Sequence, residues 1–224
     1  MDDISSTEKN RRPIKARQTR FASASARWLQ QRGATPNGIS VASIFFAALA
    51  GMSLYAAFIT SSTILPLILF IFAALMIQGR LLCNLLDGMV AVEGGLKSPA
   101  GAVYNELPDR IADTLILIGA GYGAAHFTPQ ADTLGWVAAF FAVMTAYVRV
   151  LGGSCGLEQR FSGPMAKQHR MALLTLGCII SAFLPQSTAA WLFFVLLWVI
   201  ILGSLITTFF RTRKILQELA QGAH

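Results

Sequence analysis

Oxygen-bearing side chains recur at helical spacing in two neighbouring segments of the sequence. Asn84 and Asp87 are three residues apart, and Asn105, Asp109 and Asp113 follow an i, i+4, i+8 pattern. A short loop joins the two segments, so we expect antiparallel helices whose oxygen stripes face each other. Carboxylate and amide oxygens suit Mg²⁺ or Mn²⁺ better than zinc. The spacing therefore predicts a divalent-metal site for a phosphate-bearing ligand, with helix capping and interhelical hydrogen bonding as the alternative.

The composition indicates that these helices lie in a membrane. Of 224 residues, 54% are hydrophobic and 13% are charged, whereas soluble domains carry about 25% charged residues. This composition argues against a soluble globule and against disorder. The net charge of +7 is no sign of nucleic acid here, because basic residues in so apolar a chain usually mark cytoplasmic loops. Three cysteines without paired spacing argue against a disulfide framework or a zinc site.

Six apolar stretches follow the first 34 residues, and each is long enough for a membrane helix or nearly so. The sequence therefore predicts an all-α polytopic membrane protein with six transmembrane helices. The predicted spans are 39–60, 64–91, 103–126, 133–151, 170–186 and 189–210.

The loop charges predict the orientation. Loops 61–63, 127–132 and 187–188 contain no lysine or arginine, whereas loops 92–102 and 152–169 contain Lys97, Arg160 and Lys167. With all loop positives on one side of an even number of spans, both termini are expected in the cytoplasm. An integral protein of a bacterial inner (plasma) membrane is the predicted location.

The N-terminal segment holds eight of the 18 basic residues. Within 17–32 we expect an amphipathic helix on the membrane surface, with Phe21, Trp28 and Leu29 as its apolar side, and we expect residues 1–12 to be disordered. A wholly solvated tail is the alternative. The predicted division is a basic cytoplasmic segment, a membrane domain and a cytoplasmic tail, at 1–34, 35–212 and 213–224.

The segment NLLDGMVAVEGGLKSPAGAVYNELPD resembles the signature of the CDP-alcohol phosphotransferase family, D-x2-D-G-x2-A-R-x8-G-x3-D-x3-D. The spacing matches without gaps: Asp87 and Gly88 supply the D-G pair, Ala91 the alanine, Gly101 the second glycine and Asp109 the last aspartate. The family also has a six-helix membrane core, so the resemblance extends over the whole predicted membrane domain.

The chain departs from the signature at Asn84, Val92 and Asn105, which replace two aspartates and the arginine. The resemblance implies Mg²⁺ or Mn²⁺ as cofactor, and Asp109 as the base that deprotonates the acceptor hydroxyl. Two amides lower the formal charge of the site, so a second metal should bind more weakly. The implied metal ligands are Asn84, Asp87, Asn105 and Asp109. The implied contacts to nucleotide and lipid phosphates are Gly88, Ala91 and Gly101. Nearby acids that could restore negative charge are Glu93, Glu106 and Asp113.

The implied reaction transfers a phosphatidyl group from CDP-diacylglycerol to a small alcohol or polyol (phosphate), releasing CMP in phospholipid synthesis. In family members with a phosphorylated acceptor, basic groups near helices four and five bind its phosphate, which here predicts Arg149, Lys167 and Arg170. The alternative is that these residues only follow the positive-inside rule.

Two other interpretations of the whole chain remain open. The Asn84, Val92 and Asn105 substitutions are compatible with a homologue that binds the nucleotide lipid but is catalytically impaired. A small transporter also has carboxylates in a bundle, but does not require the signature spacing. Gly119 and Gly123 have the small-xxx-small spacing of a helix-packing face, either within the bundle or across a homodimer of the kind common in the family.

Overall fold

The structure, a computed structural model, describes residues 19–93, 95, 96 and 99–222. The described residues form seven helices and no strand. In chain order these are α1 (Arg20–Gln31), α2 (Pro36–Ile59), α3 (Leu65–Glu93), α4 (Gly101–Ala124), α5 (Ala131–Ser154), α6 (Lys167–Ser181) and α7 (Gln186–Gly222). The expectation that residues 1–12 are disordered lies outside the described residues.

Local sequence sets the beginnings of the first two helices. The Thr19 hydroxyl accepts a hydrogen bond from the Ala22 amide, and the Thr35 hydroxyl accepts one from the Gly38 amide. Pro36 follows directly as the first residue of α2, where its missing N–H leaves no intrahelical bond unmade. The two caps fix the short connection between α1 and α2.

Each of the six predicted spans corresponds to one of the helices α2–α7. Four of them, α2, α3, α5 and α7, are long and apolar enough to cross a membrane. Helix α6 has only 15 residues, and α4 carries two aspartates and Arg110 within its otherwise apolar part. The described part of the chain is thus an all-helical protein with four candidate membrane spans.

The helices pack around one core in which α2 contacts both α3 and α4, α4 contacts α5, and α5 contacts α7. Glycines permit the closest approach. A Cβ placed on Gly119 would lie 2.3 Å from the Gly51 carbonyl oxygen, and one on Gly123 would lie 2.6 Å from the Phe58 ring. The Gly119 and Gly123 face therefore packs within the bundle, against α2, which decides between the two alternatives left open by its spacing.

Helix α1 confirms the predicted helix in the N-terminal segment and docks on α3. Ala22 and Ala26 are buried against a cluster that includes Met89 and Val90. Of the three side chains predicted to form the apolar side, Leu29 packs against this cluster, whereas Phe21 and Trp28 are exposed. Two small alanines, rather than the large apolar side chains, thus attach α1 to the bundle.

Helix α7 continues well beyond the predicted span 189–210. Its 37 residues correspond to about 55 Å at 1.5 Å per residue, more than the ~30 Å of a bilayer core. The segment 213–222, expected as part of a tail, is the helical end of α7. Its basic residues give it a polar surface without breaking the helix.

Candidate active site

The first signature carboxylate, Asp87, lies on α3 and faces α2. It is buried, and the Ser40 hydroxyl donates a 2.5 Å hydrogen bond to its Oδ2. Ser40 lies in the first turns of α2, after the Thr35 cap, so the local structure of segment 35–40 positions this donor. No lysine or arginine nitrogen in the described part of the chain lies within ion-pair distance of Asp87.

The last signature carboxylate, Asp109, follows Pro108 on α4 and is held by cations on two other helices. Arg80 on α3 approaches both the Asp109 Oδ1 and its backbone oxygen, each at 3.3 Å. Lys167, the first residue of α6, forms an ion pair with Asp109 Oδ2. Arg110 lies 3.6 Å from the same oxygen. Asp109 is thus an oriented carboxylate between cations.

Lys167 also binds the first signature position. Its Nζ donates to Asn84 Oδ1 at 3.0 Å and to Asp109 Oδ2, so oxygens from α3 and α4 converge on one cation. These oxygen atoms therefore suit a cation that prefers oxygen ligands. No three His, Cys, Asp or Glu side chains converge on a metal position among the described residues. A divalent ion here would need amide oxygens or substrate phosphates to complete its ligands.

Asp113, one helical turn beyond Asp109, pairs with two arginines. Its Oδ1 lies 2.6 Å from Arg80 and its Oδ2 lies 2.8 Å from Arg170. All three side chains are at most 5% exposed. Asp113 was predicted as a possible auxiliary acid; the structure shows it tying α3, α4 and α6 together beneath Asp109.

The other two auxiliary acids have different outcomes. Glu106 Oε2 pairs with Arg149 on α5 at 2.5 Å and with Arg110 at 3.3 Å, so it connects the signature helix to the predicted acceptor side. The side chain of Glu93 lies outside the described residues. Neither observation tests a role in binding metal.

The remaining signature positions line α3 and α4 near the loop that joins them. Asn105 is exposed, as is Val92 at the arginine position. Gly88, Ala91 and Gly101 are partly buried. It stays a prediction that the two glycines and the alanine contact phosphates. It also stays a prediction that Asn105 binds metal.

The three residues predicted to bind the acceptor lie close to the site in different environments. Arg149 stacks on Phe161 and donates to Gln159, besides its pair with Glu106. Arg170 is buried, and donates to the Thr145 hydroxyl and the Met165 carbonyl in addition to its pair with Asp113. Lys167 alone of the three contacts signature residues directly. Their binding of an acceptor stays a prediction.

A cleft next to Arg149 is formed by the ends of α5 and α7 and the loop after α5. Arg160 pairs with Glu218 across it, and Arg211 donates to the backbone oxygens of Thr145 and Ser162. The cleft is lined by Val148, Arg149, Gly152, Glu158, Arg160, Arg211, Ile215 and Glu218. This arrangement places a group of cations and carboxylates beside the signature helices.

Two site residues were not predicted from sequence, Arg80 and Ser40. Arg80 is fully buried and stands four residues before Asn84 in an apolar run, so its position on the same helix face was a usable signal. Ser40 carried no such signal, because a serine in the first turns of a helix is common and its partner is 47 residues away.

The expectation that the oxygen stripes of α3 and α4 face each other directly is wrong, because both helices pack on α2 and are connected through the long side chains of Arg80 and Lys167. The fold and this site define a class of protein: a helical membrane protein with buried carboxylates and cations where three helices meet. In solved structures the same fold occurs in phosphatidylinositol phosphate synthase of Mycobacterium tuberculosis. Its complex with CDP-DAG has a TM-score of 0.72 and 21% identity, covering 88% of this chain and 94% of that one. Its complex with manganese and citrate has a TM-score of 0.69 and 21% identity, covering 87% and 88%.

Two curated proteins are similar in sequence. Inner membrane protein YnbA of Escherichia coli (strain K12) is 29% identical over 161 residues, or 71% of this chain and 74% of that protein. Phosphatidylinositol phosphate synthase of Mycolicibacterium smegmatis is 25% identical over 164 residues, 71% and 72% of the two chains. No family model matches the sequence. These neighbours have the fold that the resemblance to the CDP-alcohol phosphotransferases implies, and phosphatidylinositol phosphate synthase is also similar to this chain in sequence.

Proposed function

We propose that this chain is a CDP-alcohol phosphatidyltransferase of the membrane, which moves a phosphatidyl group from CDP-diacylglycerol to a small alcohol or polyol acceptor and releases CMP. The observation that carries the proposal is that Lys167 joins Asn84 of α3 to Asp109 of α4, the first and last aspartate positions of the signature. Asp87 and Asp109 are the two aspartates that the chain retains from that signature. A sequence relative is a phosphatidylinositol phosphate synthase, and so is the structural neighbour, which was solved in two different complexes.

The residues of the site have separable tasks in this reaction. The acceptor oxygen forms a bond to the phosphorus of the phosphatidyl group, the bond from that phosphorus to the CMP oxygen breaks, and Asp109 takes the hydroxyl proton. Arg80 and Lys167 keep Asp109 ionised and oriented. Gly88, Ala91 and Gly101 leave room for the diphosphate beside the helices.

A divalent ion, Mg²⁺ or Mn²⁺, neutralises charge on the diphosphate when it is bound. The neighbouring synthase has been solved with manganese, and hard oxygen ligands are present here in Asn84, Asp87 and Asp109. Asn105 at the edge of the site would add a fourth. Mg²⁺ sites commonly use one or two carboxylates together with substrate phosphates, which suits this ligand set.

For the acceptor we propose a polyol or polyol phosphate bound on the side of Arg149. Its guanidinium lies at the junction of the cleft and the signature helix, where it contacts Glu106. Lys167 and Arg170 lie on α6, next to the carboxylates, and complete the cationic side of the pocket. A phosphorylated acceptor would take over hydrogen bonds that these groups now make within the chain.

The membrane arrangement that fits this function has six spans, with α4 and α6 as the two that are less apolar. Both termini and the site would face the cytoplasm of a bacterial inner membrane, where a soluble acceptor and a lipid-linked nucleotide can meet. A homodimer is also proposed, and packing of the Gly119 face within the bundle means that other lipid-facing surfaces would form it.

The test is release of CMP by the purified protein in lipid nanodiscs, with labelled CDP-diacylglycerol, Mg²⁺ or Mn²⁺, and a panel of polyols and polyol phosphates. Asp109→Asn should lower the rate by about 10²–10⁴-fold, the usual contribution of a positioned base. Asp132→Asn is the matched control, because Asp132 lies at the opposite end of α5, about 25 Å along the helix from Arg149. A D109N protein with the rate of D132N would contradict the proposal.

The second candidate is a homologue that binds CDP-diacylglycerol without turning it over. Asn84 and Asn105 in place of two aspartates favour it, as does the ion pair of Lys167 with the proposed base. Binding of the nucleotide lipid without CMP release on any acceptor would support this alternative. Absence of binding would contradict both.

A further inference from the structure

The cation at the centre of the site belongs to the chain itself. Lys167 Nζ contacts Asn84 Oδ1 at 3.0 Å and Asp109 Oδ2, which occupy the first and last aspartate positions of the signature. Lys167 begins α6, whereas its two partners lie on α3 and α4. The ammonium therefore lies where the ligands of two separate helices meet.

The amide at position 84 is matched to this ammonium. An aspartate would offer two oxygens, but Asn84 offers one, and that oxygen accepts from Lys167. Its Nδ2 is buried and makes no hydrogen bond within the described part of the chain. An N–H group cannot bind a metal ion, so only the amide oxygen of Asn84, which already accepts from Lys167, is left for a divalent ion.

The carboxylates of the site are neutralised unequally. Asp113 pairs with Arg80 and Arg170, and Asp109 pairs with Arg80 and Lys167. Asp87 has the Ser40 hydroxyl and no ion-pair partner among the described residues. A buried carboxylate without a counter-charge is costly, so Asp87 is the position at which an added cation gains most.

We propose that Lys167 replaces one divalent ion, so that this chain holds a single ion, at Asp87, in place of the pair that four aspartates could hold. Lys167 is thereby a positioning residue that fixes Asp109 by charge and also sets the metal stoichiometry. The inference rests on the metal requirement of the proposed function, but it is tested without turnover.

The experiment is a titration of the metal-free, full-length protein with Mn²⁺, in the presence and absence of CDP, with free Mn²⁺ measured by electron paramagnetic resonance. The wild type should bind one ion per chain. The variant Asn84→Asp/Asn105→Asp/Lys167→Met removes the ammonium and restores both carboxylates, so it should bind two. Lys167→Arg retains the charge and should keep the count at one.

Lys214→Met is the matched control for loss of a lysine, because Lys214 is exposed near the end of α7. It should bind one ion, as the wild type does. Two ions bound to the wild type, or no ion at all, would overturn the inference. The wild-type count therefore tests the inference even if the triple variant does not fold. One ion in a folded triple variant would also overturn it.

The CMP assay keeps this inference separate from the proposed function. CMP release by a wild type that binds two ions would leave the function standing and remove the role of Lys167. One bound ion without CMP release on any acceptor would support the inference and contradict the transferase.

Discussion

Arg80 is the side chain on which the buried charges depend. It is fully buried and contacts both Asp109 and Asp113, while its Nε and Nη1 make no hydrogen bond within the described residues. Arg80 therefore stabilises the site by neutralising the charge of Asp109 and Asp113, although two of its own nitrogens lack hydrogen bonds. Removing one partner of such a group leaves an uncompensated charge, which is more costly than the pair is stabilising.

Arg80→Met should accordingly destabilise the protein by about 3–5 kcal/mol, measured as a loss of thermal stability in nanodiscs. Arg213→Met is the control, since Arg213 is exposed on the last part of α7. The double variant R80M/D113N should lose less stability than the sum of the losses in the two single variants, because the two side chains interact. Strict additivity would mean that the Arg80–Asp113 pair does not stabilise the fold.

Sequence reasoning found Asp87 and Asp109 at the site because their spacing is a property of the chain itself. It also found Lys167, although as an acceptor ligand rather than as the partner of Asn84 and Asp109. Lys167 is 83 positions from Asn84 in the sequence and 58 positions from Asp109. Helix periodicity carries no information about which side chain of α6 reaches α4. Positive-inside counting treated Lys167 like any other loop cation.

At the level of elements, the helices were predictable and their contacts were not. Every apolar stretch from 39 onward became a helix, and the ends lie within five residues of expectation except for the end of α7. The loop predicted at 187–188 is wrong, because α6 ends at Ser181 and α7 already begins at Gln186. The residues after 210 alternate between polar and apolar, so their low hydropathy predicts a tail outside the membrane. They contain no glycine or proline before Gly222 that would end the helix. The docking of α1 through two alanines also escaped prediction, because an amphipathic pattern does not distinguish a helix that lies on the membrane from one that packs on another helix.

The contact of α2 with α4 gives a prediction for a single methyl group. Gly119→Ala should lower thermal stability by roughly 1–3 kcal/mol through overpacking, because the new Cβ would meet the Gly51 backbone at 2.3–2.6 Å. Ala102→Leu, at an exposed position of the same helix, is the control for added volume. A stability of G119A equal to that of the wild type would show that the two backbones separate without cost.

For the whole molecule, the proposed orientation can be tested with a native cysteine. Cys155 is exposed directly after α5, whereas Cys178 is buried and Cys83 is partly buried. A membrane-impermeant maleimide should therefore label the wild type in inverted inner-membrane vesicles and not in spheroplasts. Cys155→Ser should remove the label, and Ser61→Cys in that background should label in spheroplasts. The reverse pattern would place the site outside the cytoplasm.

The Arg80–Asp113–Arg170 cluster also has a consequence for how the protein is made. Asp113 is 33 residues after Arg80, and Arg170 is 57 residues after Asp113. At about 5–20 residues per second of synthesis, Asp113 emerges roughly 2–7 s after Arg80 and Arg170 about 3–11 s later. An unpaired arginine at the centre of a membrane helix costs about 2.5–3.5 kcal/mol. During those seconds Arg80 has no carboxylate partner from α4, and the ion-pair cluster that joins α3, α4 and α6 can form only after α6 has been made.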